Sequence, residues 1–271
     1  MSYPSRHWQA LSTRDFAAAR DSGLAAQTLA VLPLAALEQH GPHLPLDVDA
    51  VLAQGVLDAA LAQLPPALPL LVLPAQNVGL STEHLSFPGT LSLAPAPLLA
   101  LWEALGEAVA RAGVRRLLLF NSHGGNVAPM DIAARSLRQR LGLQVWRCSW
   151  PDLPLPAPVR ALFSEQEWRF GIHGGAIETS MMLHLAPETV QMAHARHWRS
   201  SSQERAERCP IAGNGKSVRL GWMIEDYNPS GAVGDASAAT ADKGRALVQA
   251  AGQALAQLMA ELQGLPLPAT G

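Results

Sequence analysis

The sequence predicts an α/β fold: three layers, α/β/α, around a mainly parallel central sheet. Three observations support this. Short apolar runs at 28–34, 68–74, 115–120 and 143–148 alternate with longer stretches of helical apolar period. Polar, chemistry-bearing clusters follow the first and third runs directly, where an open parallel sheet exposes its carboxyl edge. The chain has 271 residues, 48% of them hydrophobic, which is enough for one large core. No stretch reads as a linker, so one domain over 1–271 is expected.

The elements follow in order. TLAVLPL at 28–34 is short and apolar enough to be a buried strand. Asp47 offers an N-cap for a helix over 49–64, which Pro65-Pro66 ends. LPLLVLP at 68–74 is a second strand, and the Gly, Asn, Ser and Pro content of 75–90 marks a long loop. Residues 95–112 carry the 3.6-residue period and stop at Gly113. RRLLLF at 115–120 is a third strand, followed by the loop NSHGGN and a helix over about 127–141; LQVWRC at 143–148 is a fourth. Residues 150–172, with four early prolines, are expected to be irregular and to form either a lid or an open groove. Helices over about 175–185 and 236–263 complete the pattern. No repeat of 20–50 residues is visible.

Composition excludes several functions. A net charge of −2 gives no footprint for nucleic acid. Only 15% of residues are charged, so a monomer would expose apolar area and a homo-oligomer is expected. The two cysteines, Cys148 and Cys209, lack metal or disulfide spacing. The first residues lack a signal-peptide core, and no apolar run reaches the roughly 18 residues of a membrane span. A cytoplasmic protein without a membrane partner is expected.

The clusters carry the chemistry. In ALEQHGPHLPLDVDA (36–50), Glu38 and His40 share one side of an extended segment, and Gly41-Pro42 turns the chain so that Asp49 can return to them. NSHGGN sets His123 at the end of another strand. HGGAIETSMMLH (173–184) offers His173 in a loop and Glu178 near a helix start. Carboxylates with imidazoles suit zinc, manganese or iron(II). With Glu38, Asp49 and Glu178 all as ligands, three carboxylates and one bridging hydroxide balance two divalent ions, an arrangement used in hydrolysis. Each piece also has a bland reading. H-G-G is a turn, Asp49 or Glu178 complements a helix dipole, Glu38 is a solvated loop residue, and His173 bonds a backbone carbonyl. The combination at successive strand ends is what argues for a site. His43 is a candidate to orient a carboxylate from outside the ligand set, and Glu83 and His84 are candidates to reach substrate. His194 and His197 read as surface residues. Ser122 and Cys148 lack the context of a nucleophile, and no phosphate-binding glycine loop occurs.

Taken together, EQHGPHLPLDVD, EHLSFPGT, NSHGGN, HGGAIETS and the late GAVGDASAATADKG resemble the creatininase (creatinine amidohydrolase) family from residue 31 to about 244. The resemblance implies a creatininase-like three-layer fold, often hexameric, with a dinuclear centre of zinc with manganese, or iron in some members. By position, Glu38 and His123 would serve one ion, His40 the other, and Asp49 both. His173 would be catalytic, donating a proton or stabilising the tetrahedral intermediate. Family members break C–N amide-type bonds, so a small-molecule amidohydrolase is expected. There are departures. Creatininase reads His-Tyr-Glu, with a ligating Glu, where this chain has His123-Gly124-Gly125, which moves that role to Glu178. Creatininase also has a Glu before its catalytic histidine, where Ile172 stands here. A cyclic amide or formamide therefore fits better than creatinine. Trp150 and Trp168 fall in the region where creatininase closes tryptophans over substrate, although core packing explains either of them better. A peptidase like that of mycofactocin maturation, and a non-catalytic metal-binding scaffold or sensor, are the competing readings.

Overall fold

The computed structural model describes residues 2–267, so residue 1 and residues 268–271 of the expected domain lie outside the described residues. In chain order the elements are α1 (Thr13–Asp21), α2 (Leu24–Gln27), β1 (Leu29–Leu34), α3 (Val48–Leu61), β2 (Leu70–Val72) and α4 (Pro95–Arg111). Next come β3 (Arg116–Asn121), α5 (Val127–Leu141), β4 (Gln144–Ser149), α6 (Ala157–Arg160), α7 (Glu165–Phe170) and α8 (Ala176–Leu185). The chain ends with β5 (His197–Trp198), α9 (Ser201–Arg208), α10 (Ile224–Tyr227), β6 (Gly234–Asp235) and α11 (Ala241–Gly264).

The four expected strands form one parallel sheet in the order β2-β1-β3-β4, with helices on both faces. Successive residues of a strand point to opposite faces; β1, β2 and β3 are buried on both, so their centres are apolar throughout rather than alternating, whereas the edge strand β4 is partly exposed and carries Gln144 and Arg147. Leu29 and Val31 of β1, with Leu118 and Phe120 of β3, pack in the core shared by α3, α8 and α11. Ala30, Leu32 and Leu34, with Leu117 and Leu119, pack against α4 and α5. Pro33 in a central strand is tolerated for a geometric reason. Its carbonyl accepts from Gln76 N, on the side where β2 has already ended at Val72, so its missing N–H breaks no ladder bond.

The chain leaves β1 for β2 on one side and returns to β3 on the other. This opens a crevice at the carboxyl ends of β1 and β3, which pair directly from Leu29↔Arg116 to Leu34↔Asn121. Both polar clusters therefore end beside each other.

Several local expectations are corrected. Residues 150–172 contain two short helices, α6 and α7, the latter capped by the Ser164 side chain accepting from Glu167 N. Prolines at first-turn positions start helices here rather than prevent them. Asp47 stands at the N-cap of α3, but its side chain makes no capping bond. The last helix starts at Ala241, capped by Thr240, because 236–238 is a separate 3-10 turn. The α9 helix and the β5–β6 pair had no signal in the apolar pattern. Among the described residues no helix is long and apolar enough to cross a membrane.

Helix α8, which carries Glu178, lies so close to α11 that a Cβ on Gly244 would sit 1.8 Å from the Ser180 carbonyl oxygen. Alanine at 244 gains about 1 kcal/mol of helix propensity. Against rigid backbone, overpacking of about 1–3 kcal/mol outweighs it. Gly244→Ala is expected to lower stability in urea titrations; an unchanged or raised midpoint contradicts this packing.

Candidate metal centre

Four separate segments supply the site. Glu38 and His40 lie on the extended strand-end segment after β1, where Glu38 N donates to Leu46 O. Asp49 is in the first turn of α3, and Glu178 is in the first turn of α8. His123 follows β3 and is fixed by Asn121, whose Nδ2 donates to the His123 carbonyl and whose Oδ1 accepts from its N–H. Ser122 Oγ donates to the Asp49 carbonyl at 2.7 Å, tying the β3 loop to α3. His84 ends a 3-10 turn over Thr82–His84, and the loop of His173 is held by Val233 N donating to the His173 carbonyl.

The side chains converge. His123 Nδ1 lies 3.2 Å from Glu38 Oε1 and 3.3 Å from Asp49 Oδ2. His40 Nε2 lies 3.9 Å from Asp49 Oδ1 and 3.8 Å from Glu178 Oε2. The two oxygens of Asp49 thus face two different partner sets. His173 Nδ1 is 3.7 Å from Glu38 Oε1, and its ring stacks between those of His40 and His84 at 4.1 and 4.3 Å. Glu38, His40, Asp49, His84, His123 and His173 are all buried.

Backbone carbonyls fix which nitrogen of each ring faces inward. His40 Nδ1 donates to the Glu38 carbonyl, His123 Nε2 to that of Leu80, and His173 Nε2 to that of Gln39. With its outer nitrogen donating to a carbonyl, each turns its second nitrogen towards the carboxylates, the nitrogen a metal would take; the carboxylates around His123 favour a proton there in the metal-free chain. His173 therefore satisfies its bland reading and its functional one together.

The buried charges shift each other. Burial pushes Asp49 up to about 7 and Glu178 up to about 8, each helped by a neighbouring carboxylate. Burial alone would raise Glu38 as well, but His123, His173 and His84 hold it below the carboxylate range. Burial lowers His40 and His173, and lowers His84 to about 3. Burial would also lower His123, but the Glu38 charge and the close approach of the Asp49 and Glu38 carboxylates to its Nδ1 raise it well above its usual value.

The donor set fits a divalent cation. Glu38 Oε2, His40 Nε2 and Asp49 Oδ2 are buried with no hydrogen-bond partner. Among the described residues the ion pairs of these carboxylates are all with histidines, and no Lys or Arg joins them. Glu38–His40–Asp49, His40–His173–Glu178 and Glu38–His84–His173 each bring ligand atoms within 4.8 Å of one another. Unpaired buried charge of this kind costs several kcal/mol per ion, and cations offset it.

Other candidates are placed differently. His43 does not orient a carboxylate: its Nε2 meets Thr179 Oγ1 at 2.8 Å, bracing α8 beside Glu178, and its ring packs on Trp198. Burial lowers it to about 4. Glu83 Oε1 lies 3.9 Å from His123 Nε2. A Cβ on Gly125 would sit 2.1 Å from Leu80 O and 2.8 Å from that Glu83 oxygen, so no side chain fits at 125. Trp150 and Trp168 do not close over the site: Trp150 is core, and Trp168 packs on Phe163 and donates to Arg160 O. His194 and His197 are exposed, and burial pushes the Cys148 thiol up to about 11. Three residues were missed. Gln39 touches both His84 and His173. Glu167 accepts from Ala176 N and Asp235 N at the start of α8. Trp222 sets its ring edge-on to His84 at 6.3 Å. Only the Glu-Gln-His sequence at 38–40 could have flagged one of them.

Comparison with known proteins agrees with the geometry. Residues 9–259 match the Creatininase family model, described as creatinine amidohydrolase. The chain is 34% identical over 226 residues to a mycofactocin precursor peptide peptidase of Mycobacterium tuberculosis (strain CDC 1551 / Oshkosh), covering 81% of this chain and 80% of that one. A crystal structure of creatinine amidohydrolase (creatininase) superposes with a TM-score of 0.77 at 26% identity, covering 97% of this chain and all (100%) of that one. A structure described as creatininase Mn gives 0.75 at 27% identity, covering 96% and 100%.

Asp49 and Glu178 are raised, so the folded, metal-free chain keeps protons that the unfolded chain has released. Their contribution to stability is complete at low pH and is lost as pH climbs through about 7 and about 8. A cation held by these carboxylates would take the place of those protons, and its binding would require their release. The rise in Tm on adding manganese or zinc to chelator-treated protein is therefore expected to be larger at pH 8 than at pH 6. An equal or smaller rise at pH 8 contradicts the assignment.

Proposed function

The chain belongs to the creatininase family of hydrolases, and on that premise we propose that it is a dinuclear metal-dependent amidohydrolase that cleaves a C–N bond. One observation carries the reading: Asp49 offers one oxygen to the His123–Glu38 side and the other to the His40–Glu178 side, as a bridging carboxylate does. Glu38, Asp49 and His123 would hold one cation, and His40, Asp49 and Glu178 the second. Zinc, manganese and iron all suit these donors. When bound, such a pair supplies a nucleophile at neutral pH and polarises the scissile carbonyl.

The protein's own groups do the rest. His173 Nε2 is tied to the Gln39 carbonyl at 2.6 Å, so only Nδ1 can exchange a proton with the reacting atoms. It takes one there and delivers it to the leaving nitrogen. Burial keeps the ring neutral beforehand, and the Glu38 charge at 3.7 Å supports its protonated form. The site's histidines are buried, and the partly exposed Glu83 and Glu178 side chains mark the side from which substrate would enter.

The substrate we favour is a small cyclic amide or formamide, in keeping with the burial of the site's histidines. Creatinine itself is disfavoured by the apolar, exposed Ile172 beside His173. The second reading is a peptidase, favoured by the identity to the M. tuberculosis peptide peptidase. We further propose a cytoplasmic homo-oligomer, which suits the exposed Leu85, Leu91, Ile132 and Ile211 and the free Cys148 and Cys209.

Metal-loaded protein assayed on cyclic amides, formamides and peptides tests the function; inertness towards all three overturns it, and cleavage of peptides alone selects the second reading. Asp49→Asn is expected to lose both metals and all turnover. Glu178→Gln should bind one metal per chain instead of two, and full occupancy in that variant would remove Glu178 from the ligand set. His173→Ala should keep its metals and lose about 10²–10⁴-fold in kcat, the usual worth of a proton-transfer group; a variant that stays active has no such group at 173.

A further inference from the structure

The site contains a fourth histidine whose outer nitrogen is held differently from those of the other three. His84 Nε2 lies 3.3 Å from Glu38 Oε1, a distance at which it passes for a ligand candidate. Its other nitrogen does not meet a backbone carbonyl. It meets the side-chain amide of Gln39, with Gln39 Nε2 2.8 Å from His84 Nδ1.

The orientation of that amide is not open to choice. Gln39 Oε1 accepts from the backbone N–H of Gly41 at 2.9 Å, and Gln39 Nε2 donates to the backbone carbonyl of Gly231 at 2.7 Å. An N–H can only donate and a carbonyl can only accept, so these two partners identify the oxygen end and the nitrogen end. The amide nitrogen has two hydrogens, one of which goes to Gly231. The second points at His84 Nδ1, which must therefore be an unprotonated acceptor. The nearby His173 Nε2, at 3.3 Å from Gln39 Nε2, is itself a donor to the Gln39 carbonyl and cannot compete.

We propose that Gln39 is a positioning residue that locks His84 as the Nε2–H tautomer, making His84 a hydrogen-bond donor to Glu38 and excluding it from the metal-ligand set. Resting on the proposed metal-hydrolase reading, this divides the site's four histidines by role. Three are held by a backbone carbonyl on the outer nitrogen and turn the other to the proposed cations, whereas His84 is held by an amide N–H and turns a proton towards Glu38. Ligating carboxylates are commonly held by such a donor, which fixes the oxygen left for the cation. Gln39 also binds through its backbone carbonyl to His173, so one residue sets the inward-facing nitrogen of two neighbouring rings.

The test is the ¹⁵N spectrum of histidine-labelled protein at pH 8, with His84 assigned by its loss in His84→Ala. In the wild type, Nδ1 of His84 is expected in the bare-nitrogen range and Nε2 in the protonated range; the reverse overturns the proposal. Gln39→Glu keeps an acceptor for Gly41 but offers no N–H. There the two ¹⁵N positions of His84 should exchange, because the proton is drawn to Nδ1. Gln39→Leu, which places no carboxylate in the interior, should show both tautomers. His84 remaining wholly Nε2–H in whichever of these variants folds removes Gln39 as the cause. Titration with manganese should give His84→Ala the same number of ions per chain as the wild type, and one ion fewer would make His84 a ligand. The spectra need neither metal nor turnover, so a wild type that binds no metal would sink the proposed function while leaving the tautomer assignment to stand or fall separately.

Discussion

Buried negative charge without a fixed positive partner is the constraint on which the rest of this molecule depends. Glu38 and Asp49 are almost completely enclosed and Glu178 nearly so, and neither lysine nor arginine pairs with them among the described residues. Such charges survive inside a protein only when something cationic or protic offsets their lost hydration. In the metal-free chain that role falls to protons, which is why Asp49 and Glu178 titrate so high. The unpartnered oxygens of Glu38 and Asp49 and the unpartnered nitrogen of His40 lie in the same place, where the proposed cations would be their partners.

The scaffold holds these groups against their own repulsion by anchoring each to backbone. Three imidazoles are aimed by peptide carbonyls, and one by an amide that is itself clamped between two peptide groups. Asn121 and Asn126 bond each other and the loops around them, so the β3 loop cannot relax away from β1. Helix α8 is pressed onto α11 at Gly244, braced through Thr179 by His43, and closed at its start by Glu167. Rigidity here has a chemical purpose. Under the proposed function these groups would be ligands, and a cation gains little from groups that must first be ordered.

Replacement of one side chain by another part of the chain explains the main departure from the creatininase pattern. Position 125 holds no side chain because the Leu80 carbonyl and the Glu83 carboxylate fill its space. The loop over 75–90 therefore brings a carboxylate to the same neighbourhood from outside the β3 turn, while Glu178 faces His40 from α8. The tryptophans at 150 and 168 went into packing, and the aromatic ring beside the site is Trp222, from a segment that carries no apolar pattern.

The sequence by itself determined the layers, the four strands and most long helices, because continuous apolar runs have no soluble alternative to a sheet covered on both faces. It also pointed to side chains that converge in the candidate site, since Glu38-x-His40 and the strand-end His123 are local spacings. What it could not supply were contacts whose partners are peptide groups far along the chain. Gln39 reads as an ordinary polar residue until Gly231, 192 positions later, accepts from it. His43 looked suited to a carboxylate until Thr179 was found beside it, and four prolines concealed two helices that packing with their neighbours stabilises. Only the tertiary structure decided which nitrogen of each histidine faces inward, because that choice belongs to the hydrogen-bond partner on the ring's other side, and no spacing along the chain encodes it.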